Sequence, residues 1–239
     1  MEYFPNWADH IVAFIFCVLL PLQAIRQTTK PYGIAIYDSQ QKRTFYFSTC
    51  ISLFIMAAII LSVWLLFKRP LAEIGLTAAV DIQSAKWTVI AFVILYSIDF
   101  TYSLTPKNIA AAIPEWEKRT PFMPTKTKEL PAYLVLCLCA GVFEEIIYRG
   151  YLITYFRYLL DVFKYQETLS VVLSALVCSI SHFYHSKKDI TKAFILSILF
   201  GIIVVQSGSL LIVMFMHFLN NLIGGLLTIK YLNGKEVKA

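Results

Sequence analysis

Residues 131–152 read Pro131-Ala-Tyr-Leu-Val-Leu-Cys-Leu-Cys-Ala-Gly-Val-Phe-Glu144-Glu145-Ile-Ile-Tyr-Arg149-Gly-Tyr-Leu152, and a conflict inside that stretch decides the fold. Thirteen uncharged residues lead up to Glu144, so two carboxylates and a guanidinium lie deep within a run long enough to cross a bilayer. Each of them would cost about 2.5 to 3.5 kcal/mol or more if it faced lipid. All three must therefore point into a polar interior, which requires other membrane-crossing elements around them. The bilayer core has no water to satisfy peptide groups, and the chain lacks the period-2 alternation of barrel strands, so those elements are helices.

Outward from this stretch, the rest of the chain agrees. Of 239 residues, 58% are apolar or aromatic and 15% are Asp, Glu, Lys or Arg, against about 25% charged in an average soluble domain. Mean hydropathy is +0.66. That leaves too few ionic side chains to cover a soluble globule, and it excludes a disordered tail or a disulfide-stapled miniprotein. The apolar residues fall into seven candidate spans, at about 8–25, 46–67, 87–104, 131–156, 168–185, 191–205 and 209–229. The expected fold class is all-α, a polytopic transmembrane helix bundle of about seven spans.

The formal net charge of +6 does not mark a nucleic-acid partner, because the basic residues punctuate the apolar runs. They read instead as topology signals and contacts for anionic lipid headgroups. With the N-terminus outside, the inside segments carry fifteen Lys and Arg and the outside segments five, Lys68, Arg69, Lys86, Arg157 and Lys164. An odd number of spans then puts the C-terminus in the cytoplasm. Met1 to Asp9 has two acids and no Lys or Arg, unlike a cleaved signal peptide, so the first apolar run is expected to be retained. The segment from Pro106 to Leu130, with four prolines, reads as a loop. It divides residues 1–130, with three spans, from a four-helix core at 131–229 and a cytoplasmic tail at 230–239. Cys17, Cys50, Cys137, Cys139 and Cys178 all sit in apolar runs without a C-x-x-C pair and read as buried small hydrophobes.

Nearly all the unusual chemistry is in the second half. Glu145 and Arg149 are four apart and share a helix face, while Glu144 is rotated by about 100°. This spacing suggests that Glu145 neutralises Arg149 in a structural pair and leaves Glu144 facing a wet cavity. The alternative for the motif is a packing salt bridge alone. The fifth span closes on Cys178-Ser-Ile-Ser-His182-Phe-Tyr-His185, with His185 beside Lys187 and Lys188 at headgroup level. The seventh holds His217 and Asn221, four apart on one face and deep in apolar sequence. Gly201, Gly224 and Gly225 would permit close helix approach. One carboxylate, two imidazoles and an amide that lack other polar neighbours at their depth are expected to converge. Such a set can hydrolyse: a desolvated carboxylate helped by one imidazole deprotonates water, while a second imidazole and an amide stabilise the oxyanion. Two histidines and a glutamate are equally an acceptable ligand set for zinc with an open water position.

These residues resemble the CAAX-protease and bacteriocin-processing membrane proteases, also described as Abi or lysostaphin-resistance-protein-A-like. The matching motifs are E-E-x-x-x-R at Glu144, Glu145 and Arg149, a histidine closing a later helix at His182, and H-x-x-x-N at His217 and Asn221. Leu199-Phe200-Gly201 and Ser207-Gly208-Ser209 add to the resemblance, which covers about residues 130–228, and Ile74-Gly75-Leu76 is a weaker upstream feature. The family's second motif is usually F-x-x-x-H, whereas Cys178 stands at the phenylalanine position here. The resemblance implies an endopeptidase in which Glu144 and His182 activate water and His217 and Asn221 hold the oxyanion, with Glu145 and Arg149 in support. It also implies a membrane-embedded or lipid-anchored peptide substrate within the lipid bilayer. Small size and the lack of an organelle signal favour a bacterial inner or plasma membrane location, and with no RNA or DNA motif present no nucleic acid is expected. Family members are commonly described as metalloproteases, so zinc stays open beside a metal-free glutamate mechanism. Two other readings use the same residues: a non-catalytic bacteriocin-immunity or membrane assembly factor, and a proton-coupled transporter, whose buried Glu and His could relay protons.

Overall fold

The structure, a computed structural model, describes residues 5–28, 38–182 and 187–233. Within them every regular element is helical. Helix α1 covers 7–28 and includes a π-helical turn, Ile15–Leu19. Helices α2 (Ser39–Leu66) and α3 (Ile82–Ser103) follow, then α4 (Pro106–Arg119). Helix α5 (Thr127–Leu159) carries the glutamate motif, and α6 (Gln166–Ser181), α7 (Lys187–Ser207) and α8 (Leu211–Leu232) complete the chain.

Five of these helices are long and apolar enough to cross a membrane among the described residues, against the seven expected. The other two expected spans are shorter apolar helices, Trp7–Gln23 and Gln166–Ser181. At 1.5 Å per residue, the 16 residues of α6 extend only about 24 Å. The span expected at 168–185 stops at Ser181, where His182 leaves helical geometry; His185 lies outside the described residues. A second difference concerns 106–130, which reads as a loop but contains α4. Pro106 sits in the first turn, where its missing N–H costs nothing, and Pro121 and Pro124 follow the helix end, so only Pro114 is interior.

Two buried ion pairs close the bundle at opposite ends of α2. At one end Arg69 makes a two-pronged pair with Asp9, both bonds 2.8 Å, and the Tyr151 hydroxyl donates to the Asp9 carbonyl at 2.9 Å. At the other end Lys42 donates to Glu129 at 3.1 Å and to Thr125 at 3.0 Å. Lys42 and Arg69, which read as exposed topology charges, are 3% and 8% accessible. Charge counting along the sequence cannot see partners 87 and 60 residues away.

A bracket of non-helical chain between α2 and α3 fixes the α7–α8 turn. Gly75, at φ 73°, takes a left-handed conformation that glycine adopts without strain, and its carbonyl accepts from the Leu210 N–H at 2.9 Å. Ser209 donates to the Thr77 carbonyl at 2.8 Å, and the Asp81 N–H to the Ser207 carbonyl at 2.9 Å. Hydrogen bonds from the Ser84 side chain and backbone hold the Asp81 carboxyl below its ordinary range. The weak upstream feature Ile74-Gly75-Leu76 is thus part of the clamp on the Ser207-Gly208-Ser209 turn.

Helices α5 and α8 pack side by side through small residues. A β-carbon at Gly141 would lie 3.0 Å from the Met214 carbonyl oxygen, and one at Gly225 would collide with the Tyr133 ring. Gly201 likewise fits against Val171 of α6. Gly224 differs, since a β-carbon there meets only the Met123 methyl group at 3.5 Å. Gly225→Ala should therefore destabilise the protein by about 1 to 3 kcal/mol through overpacking, while Gly224→Ala stays close to wild type. Thermal unfolding of both variants in detergent checks the contrast.

Candidate active site

Helix α5 brings Glu144 and Glu145 to the centre of the bundle and then changes gauge. Ile146–Leu152 is π-helical, the kind of widened turn that recurs at functional sites. Gly150 permits the widened segment to lie against the bracket, because a β-carbon there would sit 2.8 Å from the Ile74 carbonyl oxygen. On the opposite side the Ser174 hydroxyl of α6 donates to the Tyr148 carbonyl at 2.6 Å. The motif is held from two directions.

Glu145 is fully buried, and its Oε1 is the hub of the site. It accepts from Arg149 Nη1 at 2.9 Å and from His217 Nδ1 at 2.6 Å. Reading the spacing alone gave Glu145 one partner, whereas the structure gives it two, the second arriving from α8. Arg149 lies against the Phe200 ring, 5.4 Å from its centroid, and the same ring is 6.3 Å from the His217 ring. Phe200 therefore walls off the Glu145 side from the rest of the bundle.

Because a carboxylate only accepts, the His217 proton sits on Nδ1 and the ring's Nε2 is turned outward. That nitrogen is 3.9 Å from Glu144 Oε2. Glu144 and His217 remain 18% and 15% accessible at their side chains, while Glu145 is sealed. His182 closes α6, where its Nδ1 donates to the Cys178 carbonyl at 2.9 Å. The backbone of Cys178 orients the ring, so this contact does not depend on which side chain stands at 178. Glu144 acts electrostatically on both His182 and Tyr148.

Asn221 is one turn beyond His217 on the same face of α8. Its carbonyl oxygen lies 3.1 Å from the Tyr133 hydroxyl, and its side chain makes no hydrogen bond among the described residues. Val213, Gly225, Thr228 and Leu232 form the buried stripe of α8, and His217 and Asn221 fall in that series at four-residue steps. Burial is interrupted at those two positions, and no residue from 214 to 224 is buried. The inward face of α8 thus opens onto accessible space where the polar side chains stand. Tyr133 and the Glu145–His217 bond were not singled out from sequence, and Phe200 entered only within the Leu199-Phe200-Gly201 resemblance. Phe200 and Tyr133 look like ordinary packing residues until the helices are assembled.

The zinc alternative can be weighed against the donors as placed. A catalytic zinc takes three protein ligands, and among the described residues no group of three or more His, Cys, Asp or Glu is arranged to hold a metal ion. Glu144 and His217 converge, but Glu145 is committed to Arg149 and His217. Among the described residues the donor geometry does not fit zinc.

Comparison with known sequences adds one result to this geometry. Residues 126–223 match the family model described as type II CAAX prenyl endopeptidase Rce1-like, a stretch of less than half the chain that includes Glu144, Glu145, Arg149, His182, His217 and Asn221. Neither the curated proteins nor the solved structures contain a match. On this match, together with three motifs in order at their spacing, residues 126–223 are similar to the CAAX-protease and bacteriocin-processing family of membrane proteases.

Proposed function

We propose that the protein is an intramembrane endopeptidase that hydrolyses a peptide bond in a membrane-embedded or lipid-anchored peptide. The observation that carries this reading is the 3.9 Å separation of Glu144 Oε2 and His217 Nε2 on an accessible face. It is too long for a direct hydrogen bond and suits one bridging water or the substrate carbonyl. The family match over residues 126–223 supports the reaction class. The excess of basic residues in alternate inter-span segments supports an outside N-terminus and a cytoplasmic C-terminus.

In this mechanism Glu144, with His182 alongside, takes a proton from water as its oxygen bonds to the substrate carbonyl carbon. The carbonyl π electrons move onto oxygen, and His217 and Asn221 stabilise that charge. Collapse of the intermediate breaks the C–N bond, and the proton held by Glu144 passes to the leaving amine. To donate through Nε2, His217 must carry a proton on each nitrogen, and the Glu145 carboxylate behind Nδ1 balances that charge. Glu145 and Arg149 are positioning residues here.

The test compares the membrane peptidomes of cells carrying wild-type and His217→Ala protein at equal, folded abundance. Loss of one oxyanion donor lowers turnover by about 10²- to 10³-fold, so wild-type cleavage products should disappear. Identical peptidomes overturn the endopeptidase reading; if a protective phenotype persists with them, the immunity-factor alternative takes its place.

A further inference from the structure

On α8, His217, Asn221 and Gly224 succeed one another at steps of four and three residues and face one side. The accessible strip that starts at His217 therefore continues to Gly224, about 4.5 Å beyond Asn221 and about 10 Å beyond His217 along the axis. An extended peptide advances about 3.3 Å per residue. With its scissile carbonyl at His217 and Asn221, a substrate places a side chain one to three residues away beside Gly224. The neighbouring atom that a β-carbon at Gly224 would meet is Met123 Cε, at 3.5 Å.

Met123 rides on a firmly held piece of backbone. The Tyr46 hydroxyl donates to the Phe122 carbonyl at 2.5 Å, Thr228 to the Pro124 carbonyl at 2.8 Å, and Lys42 to the Thr125 hydroxyl at 3.0 Å. Two spans, α2 and α8, thus hold the segment. The side chain packs against the Tyr46–Tyr133 cluster, and its polar contact there is weak. Tyr133 Oη is 3.4 Å from Met123 Sδ and 3.1 Å from the Asn221 carbonyl oxygen, and its single proton serves one acceptor at a time. The carbonyl is the stronger acceptor, which leaves an unbranched thioether able to change rotamer on a fixed base.

We propose that Met123, opposed by Gly224, is a specificity-determining residue of this site: its thioether ends the substrate strip and sets the size of the apolar side chain accepted there. The inference rests on the endopeptidase reading and adds the substrate's character near the scissile bond. A pocket that differs by a few methylene groups discriminates by about 10- to 200-fold, so the effect is large enough to read in cleavage-site sequences.

The experiment aligns peptides whose appearance depends on Glu144, from membranes of cells carrying wild-type, Met123→Ala, Met123→Leu or Gly224→Ala protein. Met123→Ala should enrich large aromatic or aliphatic side chains at one position within three residues of the cut by about tenfold or more. Gly224→Ala should shift the same position towards smaller residues, and Met123→Leu, which keeps the volume, should stay near wild type. Glu144-dependent cleavage with one unchanged preference in all four proteins overturns the role of Met123 and leaves the endopeptidase intact. Absence of Glu144-dependent peptides from wild-type membranes overturns both.

Discussion

Glu144→Gln is expected to lower kcat/KM by about 10³-fold or more in purified, lipid-reconstituted protein, with no loss of fold. Gln keeps the shape and hydrogen-bonding reach of the side chain but cannot take a proton from water, and general base catalysis contributes about 10² to 10⁴. A 10³-fold loss corresponds to about 4 kcal/mol of transition-state stabilisation. Structure should survive because Glu144 is 18% accessible at its side chain and lies 3.9 Å from His217, beyond a direct bond. Stopped-time cleavage with matched unfolding curves makes the measurement. Turnover within tenfold of wild type would remove Glu144 from the chemistry and return the motif to packing.

Its neighbour should behave in the opposite order, with stability failing first. Glu145→Ala removes the carboxylate that pairs with Arg149 and the partner of His217 Nδ1 in one step. Arg149 is then a buried charge without a counter-ion, and breaking such a pair from one side costs about 3 to 5 kcal/mol. Thermal unfolding in detergent should show that loss directly. Arg149→Leu together with Glu145→Gln removes both charges while roughly keeping volume, and should recover much of the stability. Its activity should stay low, because Gln no longer balances a doubly protonated His217. If the double variant regains wild-type turnover, Glu145 is a packing residue only, and the charge on His217 is dispensable.

The difference between these adjacent carboxylates shows how far the sequence could be read. Three ionisable side chains after thirteen uncharged residues required a polar interior, and the i, i+4 spacing paired Glu145 with Arg149. His217 and Asn221 could be put on one face for the same reason. What could not be read was that His217 reaches the inner carboxylate with its Nδ1 and only approaches the outer one with Nε2. Span limits were less legible still: α6 ends at Ser181 and α4 occupies a proline-rich stretch, because end caps and tertiary contacts, more than hydropathy, fix where a helix begins and stops.

By itself the sequence determined a helical membrane bundle and the depth at which its charged and imidazole groups lie, since burial in hydrocarbon penalises any other arrangement by several kcal/mol per group. Which of those groups touch depends on how the helices pack together. The π-helical turn after Glu145, the close approach of α5 and α8 at Gly141 and Gly225, and the Gly75 bracket on the Ser207–Ser209 turn set rotations and separations of about an ångström. Those quantities come from packing between residues far apart in the chain, which local spacing does not encode.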